Sequence, residues 1–419
     1  MLLLFVKYSR RLNFIDTIYV VIGKIIITGQ NQSWKNMKKL AIVISTLLLV
    51  VAFTSCEVQN GIDKKDTESQ TKSETYKIAM VTDCSDVNDM AYDQATYEAC
   101  KNYAMTNGLK FMYYKPAADT DTDRTAAIEN AIEDGFNILV LPGYFFGTSI
   151  ASVAPEHPEV KFIGLDVIEE DVGKSFPNVY CISYRDDIAG FLAGYAAIAL
   201  GYSNLCVCGG MPIPSVVNYT YGFVQGADAA AAKLGKTGTI QYIYANQHFP
   251  DKDITAAMDT VYANGAEVVF ACGGGIYFSV AEAAAKVGKK VVGVDVDQKA
   301  EIDGIYGEGI TLTSAMKGLY ASTQYALKTI VEDDAWGTIA GTFSTLGIIS
   351  GTDMDSNFVG IPTESGTEWS SSFTLEDYKA LVNDIYTGKI VVSVDTTKKP
   401  EDNAKVLTVN YLGKIKPDR

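Results

Sequence analysis

Histidine is almost absent, with only His157 and His248 in 419 residues. That scarcity leaves little room for a histidine-based catalytic centre or a zinc site. The patterns G-x-S-x-G, H-E-x-x-H and G-x-x-x-x-G-K-[S/T] are missing, so a serine hydrolase, a zinc protease and a P-loop nucleotide hydrolase each lack their parts. Basic charge is in deficit. Lys and Arg number 35 against 50 Asp and Glu, a net charge of −15, which makes nucleic acid and anionic membrane surfaces poor partners. The seven cysteines form no C-x-x-C pair. Asp119, Asp121 and Asp123 start like a calcium loop, but Arg124 takes the glycine position and Asn130 the terminal glutamate position. Asp353, Asp355, Asn357 and Glu364 fit that spacing better, yet Phe358 replaces the glycine. The apolar runs 40–53 and 188–200 are shorter than the roughly 20 residues that span a bilayer; in the second, Gly190 and Gly194 read as a close helix contact.

What remains is a globular composition, 47% hydrophobic and 20% charged, with room for two or three domains. Met37-Lys38-Lys39, the apolar run 40–53 and Thr54-Ser55-Cys56 follow the order of a secretory signal. Phe53-Thr54-Ser55-Cys56 resembles a lipobox, with Phe where Leu is usual, which makes Cys56 the expected lipidated residue; a plain membrane anchor or a buried Cys in a cleaved signal is the alternative. Residues 1–36 do not fit this plan, because Asp16 and Lys24 interrupt their apolar stretch, so translation is expected to start at Met37. From Cys56 onward the chain has 28 basic and 49 acidic residues, a charge of −21. Residues 56–75 are poor in large apolar side chains and read as a flexible tether.

From residue 76, short β-branched apolar runs alternate with Ala-rich helical stretches, the pattern of parallel strands joined by crossover helices. Strands are predicted at 77–82, 109–114, 137–141 and 161–165, with helices near 88–106, 122–134 and 147–155. A second series has strands at 205–208, 239–244, 267–271 and 290–294. The tail predicts a helix over 314–331, strands at 342–349 and 358–361, and a helix over 375–386. The expected fold is α/β, a clamshell of two doubly wound parallel-sheet lobes joined by a hinge. Residues 76–185 form the first lobe and 186–312 most of the second, and 313–419 return to the first lobe and the hinge.

Ligands of open parallel sheets bind beyond the carboxyl ends of the strands. Those ends here carry Asp83, Pro142-Gly143, Asp166, Gly209-Gly210, 246–249, Gly273-Gly274-Gly275 and Asp295. Carboxylates, aromatic rings and bare backbone suit a neutral polyhydroxyl ligand carrying a flat ring.

Five segments occur in the order seen in the basic membrane protein family. They are Val81-Thr82-Asp83 through Asn88-Asp89-Met90-Ala91-Tyr92-Asp93-Gln94, Asp187 through Tyr195, Cys272-Gly273-Gly274-Gly275, Gly293-Val294-Asp295-Val296-Asp297-Gln298, and Ser314-Ala315-Met316-Lys317. The chain resembles that family over roughly 76–365. The resemblance implies a nucleoside-binding lipoprotein of an ABC importer: extracytoplasmic, anchored to the bacterial cell membrane through Cys56, monomeric, without cofactor, metal or catalytic residue, and serving permease and ATPase subunits. It places Asn88 and Asp89 at the base edge and Tyr92 and Phe249 on the base faces, with Tyr244 or Tyr277 as other choices for the second ring. Asp295 would accept from both ribose hydroxyls, Gly274 would offer backbone, and Asp166 and Lys317 would complete the shell. Where the family reads Asn-Asp-Lys-Ser-Phe-Asn-Gln, this chain has Met90-Ala91-Tyr92-Asp93, so the stacking ring gains a hydroxyl and an amide becomes an acid. A purine nucleoside is the expected ligand.

Other roles stay open for these residues: helix capping for Asn88 and Asp89, core packing for Tyr92 and Phe249, an ordinary turn for the glycines, a solvated helix position for Lys317. The rival functions are a nucleoside hydrolase using Asp83, Asp89 and Asp295, and a ligand sensor with the same clamshell.

Overall fold

The computed structural model describes residues 75–83, 87–88 and 91–418. Residues 1–36, the signal at 37–55, Cys56, the tether up to residue 74 and Asp89 lie outside the described residues. The first lobe runs β1 (Lys77–Val81), α1 (Tyr92–Asn107), β2 (Lys110–Tyr114), α2 (Asp121–Glu133), β3 (Ile138–Pro142), α3 (Phe146–Val153), β4 (Lys161–Leu165), α4 (Glu169–Val172) and β5 (Val179–Tyr184). The second runs α5 (Asp186–Ala199), β6 (Asn204–Gly209), α6 (Pro214–Leu234), β7 (Thr239–Tyr244), α7 (Lys252–Ala263), β8 (Val268–Cys272), α8 (Tyr277–Val287), β9 (Lys290–Asp295), α9 (Lys299–Tyr306) and β10 (Thr311–Lys317). The tail adds α10 (Leu319–Val331), β11 (Thr342–Leu346), β12 (Val359–Gly360), α11 (Leu375–Tyr386) and β13 (Thr408–Lys414).

One sheet has the strand order β2-β1-β3-β4-β5-β11 and the other β13-β7-β6-β8-β9-β10-β12. Both thus contain the order 2-1-3-4-5 of a doubly wound sheet. Pairing is parallel except for β12, which runs antiparallel to β10. Central strands such as β3 and β8 are buried along their whole length, as sheets covered on both faces require.

Three strands, β5, β10 and β13, escape the sequence pattern. β5 runs almost directly into α5, so no turn signal sets it off. β10 corrects the helix expected from 314. Ser314-Ala315-Met316-Lys317 reads as helical locally, but the parallel register of Ser314 on Gly293 and Ala315 on Val294 makes it a strand, and the helix begins only at Leu319. The first helix begins at Tyr92, not at 88.

The segment expected to return to the first lobe is divided between the two. α10 packs on α1, where Gln324 Nε2 donates to the Ala99 carbonyl at 2.6 Å and Tyr103 Oη donates to Glu332 at 3.0 Å. β11 then pairs with β5 of the first sheet. β12 and β13 close the two edges of the second sheet, and α11 packs against α5.

Every residue of α5 is buried, and glycine makes that possible. A methyl group at Gly190 or Gly194 would fall inside the Tyr219 or Phe223 carbonyl of α6, and one at Gly222 or Gly226 inside the Asp187 or Phe191 carbonyl of α5. The two helices therefore meet backbone to backbone, as the Gly190/Gly194 spacing predicts.

Candidate functional site

The winding of each sheet reverses between its first and third strands, β1/β3 in one lobe and β6/β8 in the other. Beyond the carboxyl ends of these strands and of β4, β9 and β10 lies a cleft of about 620 Å³, its mouth included. This is the crevice at which doubly wound sheets bind ligands.

One end of the cleft is organised by Lys317, the last residue of β10. Its ammonium lies 2.5 Å from Asp166 after β4, 3.4 Å from Asp295 at the end of β9, 3.7 Å from Asp186 at the start of α5, and 3.1 Å from Ser215 Oγ. Asp166 belongs to the first lobe and Lys317 to the second, so this ion pair ties the lobes together. The rings of Tyr92, Tyr219 and Tyr184 surround the ammonium at 4.8, 5.3 and 5.5 Å. Lys317 is 6% exposed, Asp295 6% and Asp186 2%, so this is a buried charge cluster that bulk water does not screen. Burial alone would lower the Lys317 ammonium, but the three carboxylates outweigh it and hold it well above the ordinary lysine range. Burial pushes Asp186 well above the usual carboxylate range and raises Asp295 as well, against the opposing pull of Lys317.

The other end sits at the two strand switch points. Asp83 follows β1 and touches Gly143 after β3, where a Cβ would come within 3.2 Å of the Asp83 side chain. Tyr144 and Phe145 continue this wall. Phe145 carries the guanidinium of Arg124 at 5.0 Å, and Arg124 is fixed by Asp119 at 2.8 Å and Asp121 at 2.7 Å. Those two carboxylates thus serve Arg124, not a calcium loop. Opposite stands His248. A Cβ at Gly210 would lie 2.5 Å from its Nδ1, and one at Gly273 would lie 3.1 Å from the same atom. Burial lowers the His248 imidazole below its usual range, while Asp83, Asp119 and a bond to the Gly273 backbone act the other way.

Tyr92, Asp166, Gly274, Asp295 and Lys317 all line the cleft. Asp166 and Asp295 reach it from left-handed backbone, with φ of 56° and 66°. Lys317 is a strand residue, not a helix residue. Phe249 is a correction to the expected site. It is 51% exposed and absent from the lining, because its neighbour His248 turns inward and Phe249 therefore turns out. Tyr244 and Tyr277, the other choices for that ring, are buried away from the lining. Asn88 is exposed in a turn and does not line the cleft, and Asp89 lies outside the described residues.

Sequence reasoning missed Asp186, Tyr184, Tyr219, Tyr144 and Phe145, and marked His248 only as part of the strand-end run 246–249. Tyr144 and Phe145 follow a strand end already marked by Pro142-Gly143, which could have found them. Asp186 and Tyr219 sit in helices whose composition marks only packing. Cys100, Cys181, Cys206, Cys208 and Cys272 are buried free thiols, and Cys272 lines the cleft. Among the described residues, no helix is long and apolar enough to cross a membrane.

Residues 76–366 match the Bmp family model, described as ABC transporter substrate-binding protein PnrA-like. The chain is 28% identical over 373 residues to the ABC transporter nucleoside-binding protein BmpA of Lactococcus lactis subsp. cremoris, an alignment covering 85% of this chain and 99% of that one. It is 24% identical over 323 residues to an uncharacterized lipoprotein of Pyrococcus abyssi, with 74% and 76% covered. A solved ABC transporter solute-binding protein from Aeropyrum pernix K1 superposes with a TM-score of 0.58 at 18% identity, covering 78% of this chain and 90% of that one. The two share the periplasmic-binding-protein fold.

Proposed function

The chain belongs to the Bmp family of PnrA-like ABC transporter substrate-binding proteins, and on that premise we propose that it captures a nucleoside, a purine nucleoside first, between its lobes. The observation that carries this reading is the cleft's division into a charged end and a ring-lined end. At the first, Asp295 and Asp166, oriented by Lys317, accept from the ribose hydroxyls. At the second, Tyr144, Phe145 and His248 offer flat surfaces and Asp83 an acceptor for the base. Tyr92 covers the middle of the site, its ring over Lys317. The name of the Lactococcus relative, a nucleoside-binding protein, supports the same ligand class.

Four carboxylates and one ammonium line the cleft, which favours a neutral ligand over a phosphorylated one. Asp166 and Asp295 are both engaged by Lys317, an arrangement suited to holding hydroxyls and poorly suited to general-base work. The protein therefore binds and releases its ligand unchanged and presents the closed form to permease and ATPase subunits. It works outside the cytoplasm as a monomer held by a lipid on Cys56, in keeping with relatives named as lipoproteins.

A thermal-shift panel on protein stripped of carried-over ligand tests this, with nucleosides, free bases, sugars and amino acids. Nucleosides at about 100 times their dissociation constant should add about 2.7 kcal/mol of stability. Stabilisation by sugars or amino acids alone would leave the clamshell and remove the nucleoside. Release of free base from any nucleoside would make the protein an enzyme.

A further inference from the structure

His248 is held with unusual care for a residue outside the family's recognisable segments. Its ring lies in a cradle made of backbone from two strand ends. Side chains at Gly210 and Gly273 would collide with Nδ1, a Cβ at Gly274 would lie 2.9 Å from the His248 carbonyl oxygen, and the Gly275 N–H donates to that oxygen at 2.8 Å. The Nδ1 edge of the imidazole is thereby turned to the protein, against the Gly210 and Gly273 backbone. The other nitrogen, Nε2, is buried, belongs to a residue lining the cleft, and has no hydrogen-bond partner. A buried polar atom without a partner carries a desolvation cost that a ligand can remove. Nδ1 is the nitrogen packed against the Gly210 and Gly273 backbone, and a neutral ring protonated there presents Nε2 as an acceptor. Asp83 faces the same end from the other lobe and is also an acceptor.

We infer that His248 is the specificity residue for the base, with Nε2 accepting a hydrogen bond from an amino or imino N–H on the base edge. This rests on the nucleoside reading above. Acceptors on both lobes select a base edge rich in donors, and a purine without donors leaves Nε2 unpaired. Sites built to bond a ligand N–H reject the analogue that lacks it.

The test is calorimetric titration of the full chain, stripped of ligand and held in detergent, with guanosine, adenosine and purine riboside, whose base carries no N–H donor. The wild-type protein should bind guanosine about tenfold or more tightly than purine riboside. His248→Phe keeps a flat ring without the acceptor; it should weaken guanosine by about that factor and leave purine riboside unchanged. Equal losses for both ligands, or no loss, would overturn the assignment. Should the Phe variant not fold, imidazole ¹⁵N spectra of the wild-type protein decide the matter, since His157 and His248 are its only histidines. Guanosine should shift His248 Nε2 in the direction of an accepted hydrogen bond and purine riboside should not; an Nε2 that guanosine leaves unmoved contradicts the proposal. Failure of the wild-type protein to bind any nucleoside would instead strike the functional reading itself.

Discussion

The two lobes use one frame to opposite ends. In each, the third strand ends on a glycine in unusual backbone, Gly143 with φ 129° and Gly273 with φ 154°. In each, the fourth strand ends in an aspartate with left-handed φ, Asp166 in Gly164-Leu165-Asp166-Val167 and Asp295 in Gly293-Val294-Asp295-Val296. After these shared turns the lobes diverge. The first follows Gly143 with Tyr144 and Phe145 and so builds a wall of rings. The second follows Gly273 with Gly274 and Gly275 and so leaves room for His248 from the neighbouring loop. Only the second supplies an ammonium, Lys317, and it places that charge against the first lobe's Asp166. The difference teaches that the shared turns set where functional groups stand, and the residue after each turn sets what they offer. Closure is then a matter of chemistry: one lobe brings Asp83, Asp166 and aromatic faces, the other a cation, Asp295 and bare backbone.

Breaking the second lobe's frame should have the largest effect. Gly222→Val forces α5 and α6 apart at a backbone contact with no room to yield, and should cost about 5 kcal/mol or more, read as a lowered chemical-denaturation midpoint. A variant as stable as the wild-type protein would mean the helices are not in backbone contact. Next comes Lys317→Met. Removing one partner of a buried charge cluster costs about 3–5 kcal/mol. The sign with pH is definite: burial already raises Asp186 and Asp295, and without the ammonium they favour the protonated state in the fold still more, so the penalty is greatest at neutral pH and shrinks as acid protonates them. A deficit that grows on acidification would contradict the cluster.

Smaller effects sharpen the comparison between the equivalent aspartates. Asp295→Asn tolerates the left-handed backbone and keeps the fold, but should weaken nucleoside binding by about tenfold or more. Unchanged affinity would remove Asp295 from the site. Acidification supplies the smallest effect. Because burial lowers the His248 imidazole, its neutral form should persist to somewhat below the usual value of about 6.5. Guanosine affinity should hold at neutral pH and fall only on further acidification, and His248→Phe should abolish that component of the decline.

The alternation of strands and helices was legible because fully buried parallel strands leave continuous apolar runs, as in Ile138-Leu139-Val140-Leu141. β10 was not legible: Thr-Leu-Thr-Ser-Ala-Met-Lys becomes a strand through pairing with β9, which no local pattern records. For the same reason Lys317 could be named a site residue while its element was wrong. Tyr92, Asp166, Gly274, Asp295 and Lys317, named through the family resemblance, line the cleft, and Asp166, Gly274 and Asp295 also stand at strand ends that the sequence marks. Phe249 misled, since a loop gives no period from which to tell that His248 faces inward and Phe249 outward. Asp186 hid next to Asp187, which pairs instead with Arg185 at 2.7 Å.

The central claim is that a neutral nucleoside closes these complementary lobes, and calorimetric titration of the stripped protein with guanosine and with guanosine 5′-monophosphate tests it most directly. Four cleft carboxylates against one ammonium predict saturable binding of the nucleoside and binding of the nucleotide weaker by about a hundredfold or more. Equal binding of the two, or binding of the nucleotide alone, would contradict the account.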